Sequence, residues 1–438
     1  MSTQFSSART KKSNANGGKG FTQSKLSNGV RVLLAPLRDT QAVTVMVFVK
    51  VGSRYEGRPL NGVSHFLEHL MFKGTQRRPD TLTISKELDS IGAEFNAFTS
   101  KDHTAYYIKA TKQHVDLALD MLSDMLVHSK FDATELNRER GVIIEEINMY
   151  EDNPMAHIED VLELGLYGNT PLGWNIAGTK QGITDMDRAA MLRFKEQHYV
   201  GPNMWVVVAG NVPGNIRSLV SKYFGMVPKR KLGAPFIPQR QFAKDRVFLA
   251  KKNTEQVHLA IAAPAFAYDD KRMDALSVLT VLLGGTMSSR LFIEIRERLG
   301  LCYYIRAGAN PYEQVGHVAI QAGLDKNRIM QAIPAILGSI EKVAQGDISA
   351  EEVRRAKEYI KGKFILGLED SESLAGWLAK QALFQKAVKT PTARLAAIEK
   401  VTLAQVKAVA KKVLRRDAFR LALIGPYQDT AAFAKFLR

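Results

Sequence analysis

Apolar residues, many of them valine, cluster and in places alternate over residues 29–35 and 42–51, which predicts two strands early in the chain. The period then lengthens. Apolar positions recur every three to four residues over 63–73, 82–90, 112–127 and 133–150, predicting helices, and strands return at Glu94–Thr99 and 104–109. A helix over 187–198 precedes the apolar strand 204–209. The same order recurs about 215 residues later. A strand at 257–262 matches 43–49, and 316–323 with helix 329–343 matches 102–110 with 114–127. The helix opened by Ile348-Ser-Ala-Glu-Glu matches the one opened by Phe131-Asp-Ala-Thr-Glu, and 419–425 matches 204–210. Pro228, the triplet Lys229-Arg230-Lys231, Gly233, Pro235 and Pro238 break the chain between these repeats. The expected architecture is α+β: two homologous domains, 21–227 and 242–438, each an antiparallel sheet packed with helices, joined by a linker over 228–241.

Composition narrows the chemistry. With 438 residues, 45% of them hydrophobic, the chain can build more than one core, and Gly 32 and Pro 15 exclude collagen-like or wholly disordered classes. A single cysteine, Cys302, excludes a disulfide scaffold and Cys-rich zinc modules, so a metal site must use His and carboxylates. The net charge of +17 raises the question of nucleic acid. The basic runs, however, are short and lack aromatic interleaving, and they read as solvated faces, so no nucleic-acid partner is expected. No membrane association is expected either, since no stretch reaches the roughly 20 apolar residues of a spanning helix. Residues 1–20 hold Arg9, Lys11, Lys12 and Lys19, no acid and no apolar run, which reads as a disordered tail. The expected location is cytoplasmic, the alternative being an organelle matrix after removal of that tail.

Helical spacing gives His65-Phe-Leu-Glu-His69 its meaning. The imidazoles stand one turn apart and can meet one ion, with Glu68 beside them. Val63, Phe66, Leu67 and Leu70 form the core-facing stripe, which leaves His65, Glu68, His69 and Phe72 toward a cavity, and Gly74 is the natural stop. A lone His is more often a satisfied polar residue than a ligand. The pair with an intervening Glu on a helix points instead to a divalent metal. A catalytic zinc takes three protein ligands, so a third must come from elsewhere. On the helix 133–150, Glu139 and Glu146 share a stripe with Val142, Ile143 and Tyr150, whereas Glu145 shares a face with Arg138 and Gly141 and reads as solvated. Without the His pair, arginine partners for Glu139 and Glu146 would be the plainer account.

In these residues the chain resembles the inverted-zincin metallopeptidases, the group of pitrilysin, insulin-degrading enzyme and mitochondrial processing peptidase, and within it the short type of roughly 440 residues. The group's signature continues with a Glu 77 positions after the second His, which falls on Glu146. The resemblance spans the chain from Phe21 onward. It implies one Zn2+ per chain on His65, His69 and Glu146, with Glu68 as general base and Glu139 as a supporting carboxylate. It also implies that Arg296 and Tyr303 of the second half grip substrate or its developing oxyanion, with Arg298 and Tyr304 as neighbouring candidates for the same match. Residues 92–100 resemble the group's substrate-binding edge strand, with Asn96 and Ala97 against the peptide; an interior strand is the alternative. About four such domains enclose a peptide chamber in the group, so two per chain imply a homodimer, or a heterodimer with a homologous subunit. Presequence-processing members carry acids where this chain has Ala156 and Asp160, with Glu159 as a substitute, which speaks against dedicated cleavage of Arg-rich presequences. The helper-subunit glycine-rich loop is absent, Gly284-Gly285 reading as a short turn. The expected function is a zinc endopeptidase acting on extended peptides or unfolded segments; the alternative is a non-catalytic scaffold subunit on the same fold.

Overall fold

The computed structural model describes residues 20–230 and 245–438. Nearly all of the expected tail and most of the expected linker lie outside the described residues. The first half supplies β1 (Thr22–Lys25), β2 (Arg31–Pro36), β3 (Ala42–Val49), β4 (Glu94–Thr99), β5 (Thr104–Thr111) and β6 (Met204–Gly210), which form one sheet in the order β1-β2-β6-β3-β5-β4. The second supplies β7 (Val247–Lys251), β8 (Gln256–Pro264), β9 (Cys302–Pro311), β10 (Gly316–Asp325) and β11 (Arg420–Gly425), ordered β7-β11-β8-β10-β9. Apart from β1 the two orders correspond strand for strand, and the four sequence matches fall on equivalent elements. Each sheet is antiparallel except for one pair, β2 with β6 and β7 with β11, which run parallel. This departs from the expected antiparallel sheets. After a long crossover β6 returns beside β2 and β11 beside β7, and a crossover permits the parallel sense that a hairpin forbids.

β3 shows how the sheet sits. Val43, Val45, Val47 and Val49 face a core shared with Val63, Phe66, Leu67, Leu70, Leu119 and Ile143, while Met46 and Phe48 face the other way and are also buried. A strand covered on both faces reads as a continuous apolar run, as Ala-Val-Thr-Val-Met-Val-Phe-Val does. Helices Val63–Met71, Val115–His128, Ala133–Asp152 and Arg188–His198 line the first core.

The opposite face of each sheet is closed by a helix from the other half. Helix Ser371–Phe384 lays Leu374, Leu378, Leu383 and Phe384 on Leu33, Met46, Phe48, Trp205 and Val207 of the first sheet. Helix Pro154–Tyr167 lays Ile158, Leu162 and Leu166 on Ala260, Ala262, Ala319 and Ala422 of the second. The alanines and Gly165 let this helix come close: a Cβ at Gly165 would stand 2.3 Å from the Phe248 ring. Burying the four large side chains of the first helix contributes, at roughly 1.5–3 kcal/mol each, about as much as the net stability of a whole domain. The hydrophobic period predicts neither helix.

Buried polar groups fix the halves in register. Arg54, 1% exposed, pairs with Asp102 and donates to Gln314 Oε1 at 2.5 Å, and the backbone N–H of Glu313 donates to Asp102 Oδ2 at 3.0 Å. Lys101 Nζ lies 3.1 Å from Glu163, which also accepts from the Tyr312 hydroxyl. At Gly284 the chain leaves helical geometry, with φ −161 and ψ 17, a kink at the expected Gly284-Gly285 turn, and a Cβ on Gly284 would meet Ala307 N of β9 at 2.6 Å. This glycine also gives steric room for the edge strand.

His317 sits inside the junction, where the Asn310 amide donates to Nε2 at 2.9 Å and Nδ1 lies 2.9 Å from the Tyr167 hydroxyl, an arrangement that needs a neutral ring. Burial lowers His317 to about 4 and His103 to about 3 from an ordinary 6.5. Between pH 6.5 and 4 the unfolded chain therefore takes up protons that the folded chain refuses, and stability falls as pH falls through that window. The expected loss at pH 5 is on the order of 2 kcal/mol per imidazole, read as a lower urea midpoint than at pH 7.5. Equal midpoints at the two pH values would contradict the neutral burial of these rings.

Candidate metal centre

Helix Val63–Met71 buries Val63, Phe66, Leu67 and Leu70 in the first core, which turns His65, Glu68 and His69 to its half-buried side as the spacing predicts. Helix Ala133–Asp152 starts at an Asp132 cap that accepts from Thr134 N at 2.8 Å, and Leu136, Ile143 and Ile147 anchor it to the same core. Its Glu146 reaches the two imidazoles: Oε2 is 3.5 Å from His65 Nε2 and 3.3 Å from His69 Nε2. One donor atom from each of the three residues falls within 4.8 Å of the others. Zinc bonds of about 2.0–2.1 Å at tetrahedral angles place ligand atoms roughly 3.3–3.4 Å apart. The donor types and the carboxylate–imidazole spacings fit that ion.

The surrounding groups hold the ligands. Glu139, 2% exposed, lies 3.1 Å from His69 Nδ1 and 2.7 Å from Lys73 Nζ. Burial works against its ionisation, but the bonds to His69 and Lys73 outweigh it and lower its pKa, so Glu139 accepts and His69 Nδ1 donates. The His69 Nε2 is thereby aimed at Glu146, the orientation a ligating imidazole needs. Burial also disfavours a charged His69, yet the bonds to Glu139 and Glu146 and the charges of Glu146 and Glu68 carry it up to about 9. Burial, and then the charge of His69, lowers His65 to about 4. His65 Nδ1 is buried without a hydrogen-bond partner. Three carboxylates thus face two imidazoles with Lys73 as the one ion-pairing cation among the described residues, a charge balance that a divalent ion completes. Glu68 accepts from Thr99 Oγ1 at 2.5 Å, and burial, ahead of the opposing Thr99 bond, raises its pKa.

Thr99 ends β4, which pairs with β5 alone and is the edge of its sheet. Asn96 lies exposed on that edge, and its Oδ1 accepts from Ala97 N at 2.8 Å. The second-half candidates stand apart from this cluster. Arg296 lies over the rings of Phe292 and Tyr303, at 4.6 and 5.9 Å, and Tyr303 is 73% exposed on the outer edge strand β9. Neither makes a hydrogen bond, ion pair or ring contact with His65, Glu68, His69 or Glu146 among the described residues. The alternatives are engaged elsewhere, Arg298 with Glu294 at 3.0 Å and Tyr304 with His258 at 3.1 Å. Asp160 accepts from Asn175 at 3.0 Å and Glu159 from Asn310 at 3.2 Å, so both acids are held within the chain. Val142 and Tyr150, expected on the buried stripe, are exposed, because the helix presents that margin beyond the edge of the core. Glu145 is solvated as expected. Lys73 and Thr99 were missed by sequence reasoning. Lys73 lies just past the end of the helix at Met71 and pairs with a carboxylate of another helix, so nothing local marks either residue.

Residues 31–180 match the family described as insulinase (peptidase family M16), and residues 185–360 match the peptidase M16 inactive domain. An uncharacterized zinc protease of Bacillus subtilis, YmxG, is 35% identical over 91% of this chain and 97% of its own. Another, from Streptomyces coelicolor, is 34% identical over 93% of this chain and 90% of its own. Among solved structures, a protease from Helicobacter pylori superposes with a TM-score of 0.86 at 25% identity, covering 93% of this chain and 99% of that one. An M16 inactive-domain protein of Pseudomonas fluorescens, at 19% identity and a TM-score of 0.85 over 94% of this chain and 98% of that one, shares the fold. With both family regions matched and relatives aligned over nearly their whole length, this chain belongs to the M16 peptidase family.

Proposed function

We propose that the protein is a zinc-dependent endopeptidase that cleaves extended peptides or unfolded segments. The observation that carries this reading is the convergence of His65, His69 and Glu146 beside Glu68, a half-buried carboxylate with no lysine or arginine partner among the described residues. A scaffold subunit would have no use for that convergence. His65 Nε2, His69 Nε2 and Glu146 would hold one zinc ion per chain, which would supply Lewis acidity to the scissile carbonyl and the attacking water. Glu68 takes a proton from that water and delivers it to the leaving amine, a task suited to a carboxyl whose proton affinity burial has raised. The Thr99 hydroxyl aims it. Glu139 holds His69, and Lys73 holds Glu139. An extended substrate adds beside β4, with Asn96 and Ala97 along it and main-chain pairing supplying affinity that is indifferent to side-chain sequence.

Arg296 and Tyr303 complete the site from a partner chain in a homodimer. Tyr303 is exposed on the edge strand β9, Arg296 lies half-buried over its ring, and neither contacts the metal cluster of its own chain among the described residues, which supports that arrangement. There Tyr303 and Arg296 donate to the substrate backbone or to the developing oxyanion.

Replacing Glu68 by Gln is expected to leave zinc content intact and to lower kcat on an unstructured peptide by at least about 100-fold; undiminished turnover would rule out this base. Chelation should abolish cleavage and added zinc restore it, so full activity after metal removal, confirmed by metal analysis, sinks the zinc reading. Glu139→Gln is expected to weaken zinc binding about 10–100-fold, with activity recovered at high zinc. An unaltered dissociation constant would contradict its role. Mixing Glu68→Gln chains with Arg296→Ala chains should restore about a quarter of wild-type activity if sites are shared across a two-fold. No recovery in a verified mixed dimer would exclude sharing.

A further inference from the structure

The N-terminus of the helix that carries His65 and His69 is buried, with Gly62, Val63 and Ser64 closed off from the water that satisfies free N–H groups at an exposed helix end. Its N-cap is Gly62, at φ 100, where a Cβ would meet Ala177 O at 2.7 Å and Ile183 Cδ1 at 2.9 Å. The residues that ordinarily cap a helix, Ser, Thr, Asp and Asn, are thus sterically barred, and the cap position offers no side-chain acceptor. The acceptor comes from six residues upstream. Glu56 Oε2 accepts from Gly62 N at 2.7 Å and its Oε1 from Ser64 N at 2.8 Å. Asn61 Nδ2 adds a bond to Oε2 at 3.2 Å while donating to Asn175 O at 3.0 Å.

Glu56 is 3% exposed and has no lysine or arginine partner among the described residues. Its charge is answered by these N–H groups and the positive end of the helix dipole. Burial raises its carboxyl to about 7 and the donors of Ser64 and Gly62 act against that rise, so the cap stabilises the carboxylate form. Two residues before it, Arg54 is locked to Asp102 and to Gln314 of the second half, which anchors the segment that carries Glu56.

We infer that Glu56 is a positioning residue for the metal centre: by holding the N–H groups of Gly62 and Ser64 it fixes the first turn of the helix, and with it the His65 and His69 nitrogens, in ligating register. This rests on the zinc reading above. Ser64 adjoins His65, so a shift of that turn moves the first ligand directly.

The test compares wild-type protein with Glu56→Gln, which keeps the shape but places an amide N–H against a backbone N–H. Zinc affinity is measured by chelator competition, ligand geometry by the absorption spectrum of the cobalt(II) form, and helix order by amide hydrogen exchange of the metal-free protein. The expected result is about 10–100-fold weaker zinc binding, an altered cobalt spectrum, and exchange over residues 64–69 at least about fivefold faster, with helix Ala133–Asp152 unchanged. Wild-type affinity and spectrum in the variant would overturn the inference. So would exchange that rises evenly along the chain with an unchanged spectrum, the mark of general destabilisation. If Glu56→Gln does not fold, Glu56→Asp, which keeps the charge and shortens the reach, is read the same way. Wild-type protein that binds no zinc would overturn the zinc reading and this inference together, whereas normal wild-type binding with unchanged variant binding overturns this inference alone.

Discussion

The apolar seam between helices Val63–Met71 and Ala133–Asp152 is the contact on which the site depends. Leu67 and Leu70 on one side and Ile143 and Ile147 on the other belong to a single core, and the candidate ligands sit on its solvent margin. Side chains in a close-packed interior cannot slide without forming voids. The seam therefore sets the 3.3 and 3.5 Å separations between Glu146 and the imidazoles, which no local feature of either helix could set alone. Glu139 and Lys73 extend the same logic outward, each group's position being held by the next.

A second constraint joins the two halves. Each sheet leaves one face open to its own half, and the cover for that face is a helix contributed by the other. The exchange makes the halves parts of one folding unit although they repeat the same strand order. It also allows them to diverge. The helix equivalent to the His-bearing one, Met273–Thr280, contains neither His nor Glu and is buried through Ala275, Leu276, Val278 and Leu279. The second half keeps the scaffold and lacks the donors, and within one chain it reaches the surroundings of the candidate site through Gln314 on Arg54 and Glu313 on Asp102.

Electrostatics at the centre runs opposite to that of the chain. A molecule of net charge +17 gathers Glu68, Glu139 and Glu146 around two histidines. The surplus lysines and arginines are spread over the surface, where solvent screens them. The carboxylates are half-buried to buried, where their fields act on the imidazoles at short range and raise His69. Net charge is accordingly a poor guide to what this site binds.

The sequence by itself determined the period-coded elements, the repeat, and the pairing of His65 with His69, because a helical turn and a pleat are local and leave a fixed spacing. It also carried the strand Glu94–Thr99, while the family resemblance supplied its edge position and the count to Glu146. Tertiary structure alone decided which helix covers which sheet, since Pro154–Tyr167 and Ser371–Phe384 find their partners in the opposite half and their apolar spacing names no address. It alone brought Thr99 to Glu68 and Glu56 to Gly62. Such contacts rest on the three-dimensional approach of segments whose separation along the chain has no fixed value, and only the packed cores bring them within a hydrogen bond of each other.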